Sequence, residues 1–197
     1  MKKLNIFLSG KAGSGKTSIA NFMAKKHGYK VVKFAQPIYS IAKDLFKMGN
    51  KDRELLQFLG TEVGRCIDNN IWITRFFQNL EIVEKYYILK GIDLPGFICD
   101  DCRFENEYKE LTSEGWFGIF LNSDNEQLRK DRLIKRDGEF QEDSDKHVSE
   151  LDSDRFKDML LNINSSCPLQ DLTGEVEKVY LILKQFAPYL SNIKFEE

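Results

Sequence analysis

The chain has 197 residues, with 29 lysines and arginines against 31 aspartates and glutamates and a formal net charge of −2. So small a charge excludes a protein whose main work is coating nucleic acid, which needs a large basic excess, and any anion site must therefore be local. With 42% hydrophobic residues, 30% charged residues, 15 Phe and 7 Tyr, the composition suits one globular unit with a sizeable core and excludes intrinsic disorder.

Leu4-Asn5-Ile6-Phe7-Leu8 is a short apolar run ending at Ser9-Gly10 and reads as a buried strand. Thr17 to Lys26 follows with Ile19, Ala20, Met23 and Ala24 at helical spacing. Tyr29 to Ala35 reads as a second strand, after which Pro37 opens a helix whose stripe is Ile38, Ile41, Ala42, Leu45 and Phe46. Asp52 to Val63 continues helically with Leu55, Leu56, Leu59 and Val63 inward, and Trp72 to Leu89 forms another helix closed by Gly91 and Pro95-Gly96. Phe97-Ile98-Cys99 predicts a buried strand, Glu105 to Glu114 a helix and Gly118-Ile119-Phe120-Leu121 the next strand. Asp124 to Asp154 is almost continuously charged, which predicts an exposed insertion and no core element. Met159 to Ile163 and Glu175 to Phe186 give a last strand and a closing helix. Strands alternating with helices predict an α/β fold, three layers deep, with a parallel sheet covered on both faces.

No apolar run approaches the roughly 20 residues that span a bilayer, so no membrane association is expected. The stretch after Met1-Lys2-Lys3 is too brief for a signal peptide. Cys66, Cys99, Cys102 and Cys167 are few and unevenly spread, as suits reduced thiols in a cytoplasm. Cys99 and Cys102 have CxxC spacing, but without a second ligand pair they read as small buried side chains at a strand end.

Gly10-Lys11-Ala12-Gly13-Ser14-Gly15-Lys16-Thr17 matches GxxxxGK[ST] in full, between a predicted strand and a predicted helix. The glycines let backbone amides curl around phosphate, Lys16 reaches the β- and γ-phosphates, and the Thr17 hydroxyl is a magnesium ligand. The expected ATP site is thus Gly10 through Thr17 together with Ser18, and the expected cofactor is Mg²⁺. This loop alone leaves kinases, GTPases and other ATPases open. Asp93-Leu94-Pro95-Gly96 spells the DxxG of GTPases, but no guanine-reading NKxD follows and Pro95-Gly96 is explained as a turn.

Asp100 and Asp101 stand where open α/β sheets place ligand groups, so either one is a candidate for the metal. Arg103 follows them and can reach a phosphate or pair with Asp101. Arg129, Arg132 and Arg136, at i, i+3 and i+7, share a narrow arc of one helix. With Asp131 and Asp137 nearby they also fit a solvated, salt-bridged face. Inside an insertion of a phosphate-loop protein, convergent guanidinium groups read as a lid that neutralises charge and excludes water.

In their order, these motifs resemble the P-loop monophosphate kinases of the tailed-phage deoxynucleoside monophosphate kinase family, a branch similar also to phosphomevalonate kinase. Besides the P-loop, the resemblance rests on Phe34-Ala35-Gln36-Pro37-Ile38, on Arg53, Leu55, Leu56, Gln57, Gly60, Thr61, Glu62, Gly64 and Arg65 before Ile71-Trp72, and on Asp101-Cys102-Arg103-Phe104-Glu105-Asn106-Glu107. The lid arginines and His147-Val148-Ser149-Glu150 complete it, with Val148 where the family commonly has Pro. The resemblance implies one kinase domain over 1–197, an acceptor-binding helical region over about 38–90 and a lid over about 124–154. It further implies acceptor contacts from Arg53, Gln57, Arg65, Trp72 and Asp101, with Arg65 gripping the acceptor's phosphate and Trp72 beside the base. Lys16, Arg103 and the three lid arginines would neutralise the transferred group. The partners implied are ATP and a deoxynucleoside monophosphate, with a homodimer as a further expectation. Kinases of another phosphorylated small molecule, such as phosphomevalonate, share the same pattern, and a nucleotide-binding regulatory module with little turnover is the reading from another class.

Overall fold

β1 (Ile6–Ser9) is buried along its whole length, as befits a strand covered on both faces. Its side chains alternate: Ile6 and Leu8 enter one apolar cluster with α1 (Lys16–His27), and Phe7 enters another with α4 (Ile71–Leu89). The computed structural model behind this description covers residues 3–138 and 152–190. The remaining strands are β2 (Lys30–Val32), β3 (Phe97–Cys99), β4 (Phe117–Asn122) and β5 (Leu161–Asn164). They form one parallel sheet in the order β2-β3-β1-β4-β5, with Ile6 opposite both Ile98 and Phe117. The first cluster is closed by Leu172, Val176 and Tyr180 of α7 (Leu169–Leu190). The second is closed by Leu111 of α5 (Glu105–Ser113), with Trp116 and Phe156. The fold is thus the three-layer α/β/α arrangement expected, and its strand order reverses beside β1, where such sheets bind ligands.

A third cluster of Ile38, Ala42, Leu59 and Trp72 holds the helical region over the sheet's C-terminal edge. It joins α2 (Gln36–Phe46), α3 (Arg53–Gln57) and α4. Here the 3.6-residue period fails. From Phe58 to Arg65 the chain is a π-helix, whose wider turn carries Val63 outward, against the inward position expected. Gly64 lies against the Trp72 ring, where a Cβ would come within 2.3 Å of the indole, and Trp72 Nε1 donates to Gly60 O at 2.7 Å. Leu45 and Phe46, expected on the α2 stripe, are exposed beyond its buried turn.

The charged segment corrects another expectation. Its first part is α6 (Glu126–Asp137), which buries Arg129 and Leu133, both beside Gly13 of the loop after β1, and is not exposed throughout. The rest of the expected lid, 139–151, lies outside the described residues, as do His147, Val148, Ser149 and Glu150. β2 is shorter than the Tyr29–Ala35 run suggests, because Tyr29 packs into the core and Phe34 and Ala35 bend away to bond Asp101. β5 begins two residues later than expected, since Met159 closes a 3₁₀ turn. Among the described residues no helix is long and apolar enough to cross a membrane.

Candidate active site

The turn after β1 requires glycine on two counts. Gly10, Gly13 and Gly15 have φ of 123°, 84° and 101°, in the left-handed region that L side chains avoid. A Cβ at Gly10 would meet Leu121 O at 2.5 Å, and one at Gly13 would meet Arg129 Cγ and O at 2.8 Å. Gly15 caps α1 without a side-chain hydrogen bond, leaving the first-turn amides and the positive end of the helix for an anion. Lys16 is buried and folds back on the loop, its ammonium donating to Gly10 O and, at 2.9 Å, to Lys11 O. Burial, and then the Arg103 guanidinium, hold its pKa well below the ordinary lysine range. An anion in the loop would reverse that shift by favouring the charged form.

β3 delivers the two aspartates to the same edge, and their surroundings separate them. Asp101 accepts from Phe34 N at 3.0 Å and Ala35 N at 2.9 Å, so both its oxygens fasten the turn between β2 and α2. Burial and the neighbouring Asp100 charge push its pKa up. Asp100 accepts from Lys33 Nζ at 2.9 Å through Oδ2, while its buried Oδ1 has no partner among the described residues. An orphaned carboxylate oxygen at a cavity wall is what a hydrated cation would satisfy. Of the two, Asp100 fits a magnesium ion, with Thr17 opposite on the same cavity; Asp101 is already committed. Among the described residues no group of three or more His, Cys, Asp or Glu converges as a metal cage, and magnesium on a nucleotide needs only one or two protein ligands. Ser9 Oγ donates to Cys102 O at 2.9 Å and locks the ends of β1 and β3 together. Cys99 and Cys102 are free and fully buried, and burial raises both thiols well above their usual range, which suits inert packing.

A cavity of about 690 Å³ runs from the P-loop to the helical region. Ala12, Gly13, Gly15, Lys16, Thr17 and Ser18 line it at the P-loop, Arg53, Gln57, Arg65 and Trp72 line it from the helical region, and Asp100, Asp101 and Arg103 line it after β3, where the Arg103 and Asp101 charges act on Lys16. Its wall carries nine lysines and arginines against only Asp100, Asp101 and Glu107. That is the local anion site that the near-neutral net charge demanded.

Each cation is held differently. Arg65 stacks on Phe104, its Cζ 3.7 Å from the ring centre, donates to Asn69 O at 3.1 Å and pairs with the buried Glu107 carboxylate. Glu107 also accepts from Arg103 N at 2.8 Å and Phe104 N at 3.1 Å, and burial pushes it up to about 7 despite Arg65. Arg53 is bonded to Asp137. On α6, the narrow arc of arginines is present but serves two purposes. Arg129 is buried outside the cavity and donates to Ala12 O at 3.1 Å, bracing the P-loop backbone. Arg132 and Arg136 line the cavity; Arg132 also donates to Ser165 O at 3.0 Å and Cys167 O at 2.7 Å.

Sequence reasoning missed Lys33, Tyr39, Lys51 and Lys135, all of which line the cavity. Lys33 immediately precedes the Phe34 motif, a signal that was there to use. Lys51 sits in an unpatterned turn and gave none.

No family model matches the chain, and no curated protein matches it. Solved structures do. A gluconokinase from Sinorhizobium meliloti 1021 superposes with a TM-score of 0.59 at 17% identity, covering 97% of this chain and 100% of its own. Shikimate kinase from Acinetobacter baumannii in complex with shikimate gives 0.56 at 14%, covering 93% and 96%. TT1252 from Thermus thermophilus gives 0.54 at 18%, covering 93% and 99%. The chain has the P-loop kinase fold. That likeness is one of architecture, and the cavity's residues must argue the chemistry.

Proposed function

We propose that the protein is an ATP-dependent kinase that transfers the γ-phosphoryl group to the phosphate of a deoxynucleoside monophosphate, giving the diphosphate and ADP. The observation that carries this reading is the cationic surplus of a single cavity that begins at the P-loop and ends beside Trp72. More cations line it than a magnesium-complexed triphosphate alone calls for, and Lys51, Arg53 and Arg65 of that surplus belong to the helical region, as do the apolar Ile38, Leu56 and Trp72. A phosphate joined to a flat, partly apolar body suits that end. The order of motifs from Phe34 to Glu107 supports a nucleotide as that body. The gluconokinase and the shikimate kinase of like fold agree with phosphoryl transfer to a small molecule.

The P-loop amides and Lys16 would hold the β- and γ-phosphates, with Thr17 and Asp100 as the residues fitted to magnesium. When bound, magnesium supplies charge neutralisation across those phosphates. An acceptor phosphate is already anionic near neutral pH, its second ionisation lying near 6, so no general base is needed. Catalysis then rests on in-line placement and on Lys16, Arg103, Arg132 and Arg136 facing the developing charge, with Arg129 holding the loop from behind. Arg53, Gln57, Arg65 and Trp72 would seat the acceptor. The test is a coupled ADP-release assay across dAMP, dCMP, dGMP, dTMP and phosphomevalonate. Turnover of one or more deoxynucleotides supports the reading; turnover of phosphomevalonate alone moves the acceptor to the kinases of other phosphorylated metabolites. Tight ATP binding with no acceptor turned over refutes it in favour of a regulatory module.

A further inference from the structure

One carboxylate at the edge of the site has no part in these roles. Asp137 ends α6 and does not line the cavity, yet it joins two residues that do. Its Oδ2 accepts from Arg53 Nε at 3.0 Å and Arg53 Nη2 at 2.7 Å, across 84 residues of chain. From Arg136 it accepts twice more, Nε to Oδ1 and Nη2 to Oδ2, both at 2.7 Å. The Asp137 and Arg53 side chains are only 17% and 14% exposed, so this is no casual surface pair. Its place is also electrostatically adverse, because the last turn of a helix disfavours an anion. Arg136 and Arg53 outweigh that and hold the carboxyl well below the usual carboxylate range.

The geometry leaves something over. A guanidinium carries five N–H donors in a planar fork, and each arginine gives Asp137 only its Nε–Nη2 edge. Neither Nη1 is bonded among the described residues. Lys51, two positions before Arg53, lines the same cavity. Three cations and one carboxylate leave two positive charges, the complement of a phosphate monoester above its second ionisation.

We propose that Asp137 is a positioning residue for the anionic group of the acceptor: it fixes Arg53 and Arg136 side by side so that their unused edges, with Lys51, bind a phosphate dianion. The inference rests on the kinase reading only in naming that anion the acceptor's. A carboxylate that merely occupied the anion's place would act in the opposite sense, and the sign of one measurement separates the two.

The full-length chain, saturated with magnesium and the non-hydrolysable imido analogue of ATP to fill the P-loop, is titrated calorimetrically with inorganic phosphate. Asp137→Asn is expected to weaken phosphate binding by about tenfold, and Asp137→Glu to restore most of it. Lys51→Met, in an exposed turn where folding is not at stake, should weaken it severalfold on its own. With any deoxynucleotide that the wild type turns over, Asp137→Asn should raise the acceptor KM by about tenfold, and Asp137→Glu should bring it back, while the KM for ATP stays within about twofold. Equal or tighter phosphate binding by Asp137→Asn, or no saturable binding by the wild type, overturns the proposal. If every acceptor is silent yet phosphate binding falls as stated, this proposal stands and the kinase reading fails. If acceptors turn over and neither phosphate binding nor KM moves, the reverse holds.

Discussion

Under the proposed function the two ends of the cavity solve the same problem, holding phosphate, by opposite means. At the donor end the binding groups are backbone amides presented by nine consecutive residues, and what matters is that glycines leave room for them. At the acceptor end the groups are charged side chains drawn from α3, the π-helix, the turn after β3 and α6, with Arg53, Arg65 and Arg132 each held by a carboxylate or a carbonyl of another element. The first site is a property of a short segment, and the second exists only once the chain has folded. Damage at the donor end should therefore follow from shape and at the acceptor end from charge.

The largest effect tests the one donor group that breaks this division. Lys16→Ala should lower phosphoryl transfer by about a thousandfold or more, with an unchanged thermal midpoint, because the ammonium rests only on loop carbonyls. Retained turnover in the ADP-release assay would count heavily against the mechanism. Gly13→Ala comes next. At φ 84°, with Arg129 2.8 Å from the new Cβ, it should cost about 2–4 kcal/mol in denaturant unfolding and weaken ATP binding as well. An alanine tolerated there would show that the loop is not shape-limited.

The smallest effect lies at the acceptor end. The folded pKa of Glu107 is raised to about 7, above the unfolded carboxylate value. Its contribution is therefore fully present below about pH 4.3 and is lost as pH rises toward 7. Relative to Glu107→Gln, the wild type should lose about 2–3 kcal/mol between those limits, read from urea unfolding at several pH values. A difference that does not change with pH would mean that Arg65 keeps the carboxylate ionised throughout, and that the pair is a plain ion bridge.

How much was legible in the sequence follows the same division. The P-loop, the parallel sheet and the strand-end aspartates were readable because their information is local, carried by glycine spacing and by runs of a few apolar residues. Which aspartate stays available was not readable, since that is decided by amides of Phe34 and Ala35, 67 and 66 positions away. The arc of Arg129, Arg132 and Arg136 was visible as periodicity. The burial of Arg129 was not, because it depends on α6 lying against Gly13. Asp137 looked like a solvating neighbour, and only the fold brings Arg53 to it.

The π-helix between Phe58 and Arg65 gives the acceptor wall its phase. Winding the same residues as an ordinary α-helix would turn everything beyond them around the axis, because a π-turn takes in more residues than an α-turn. Arg65 would leave the Phe104 ring, and Gly60 and Gly64 would no longer face the indole that fits against them. Winding in this stretch is accordingly as strict a requirement as residue type.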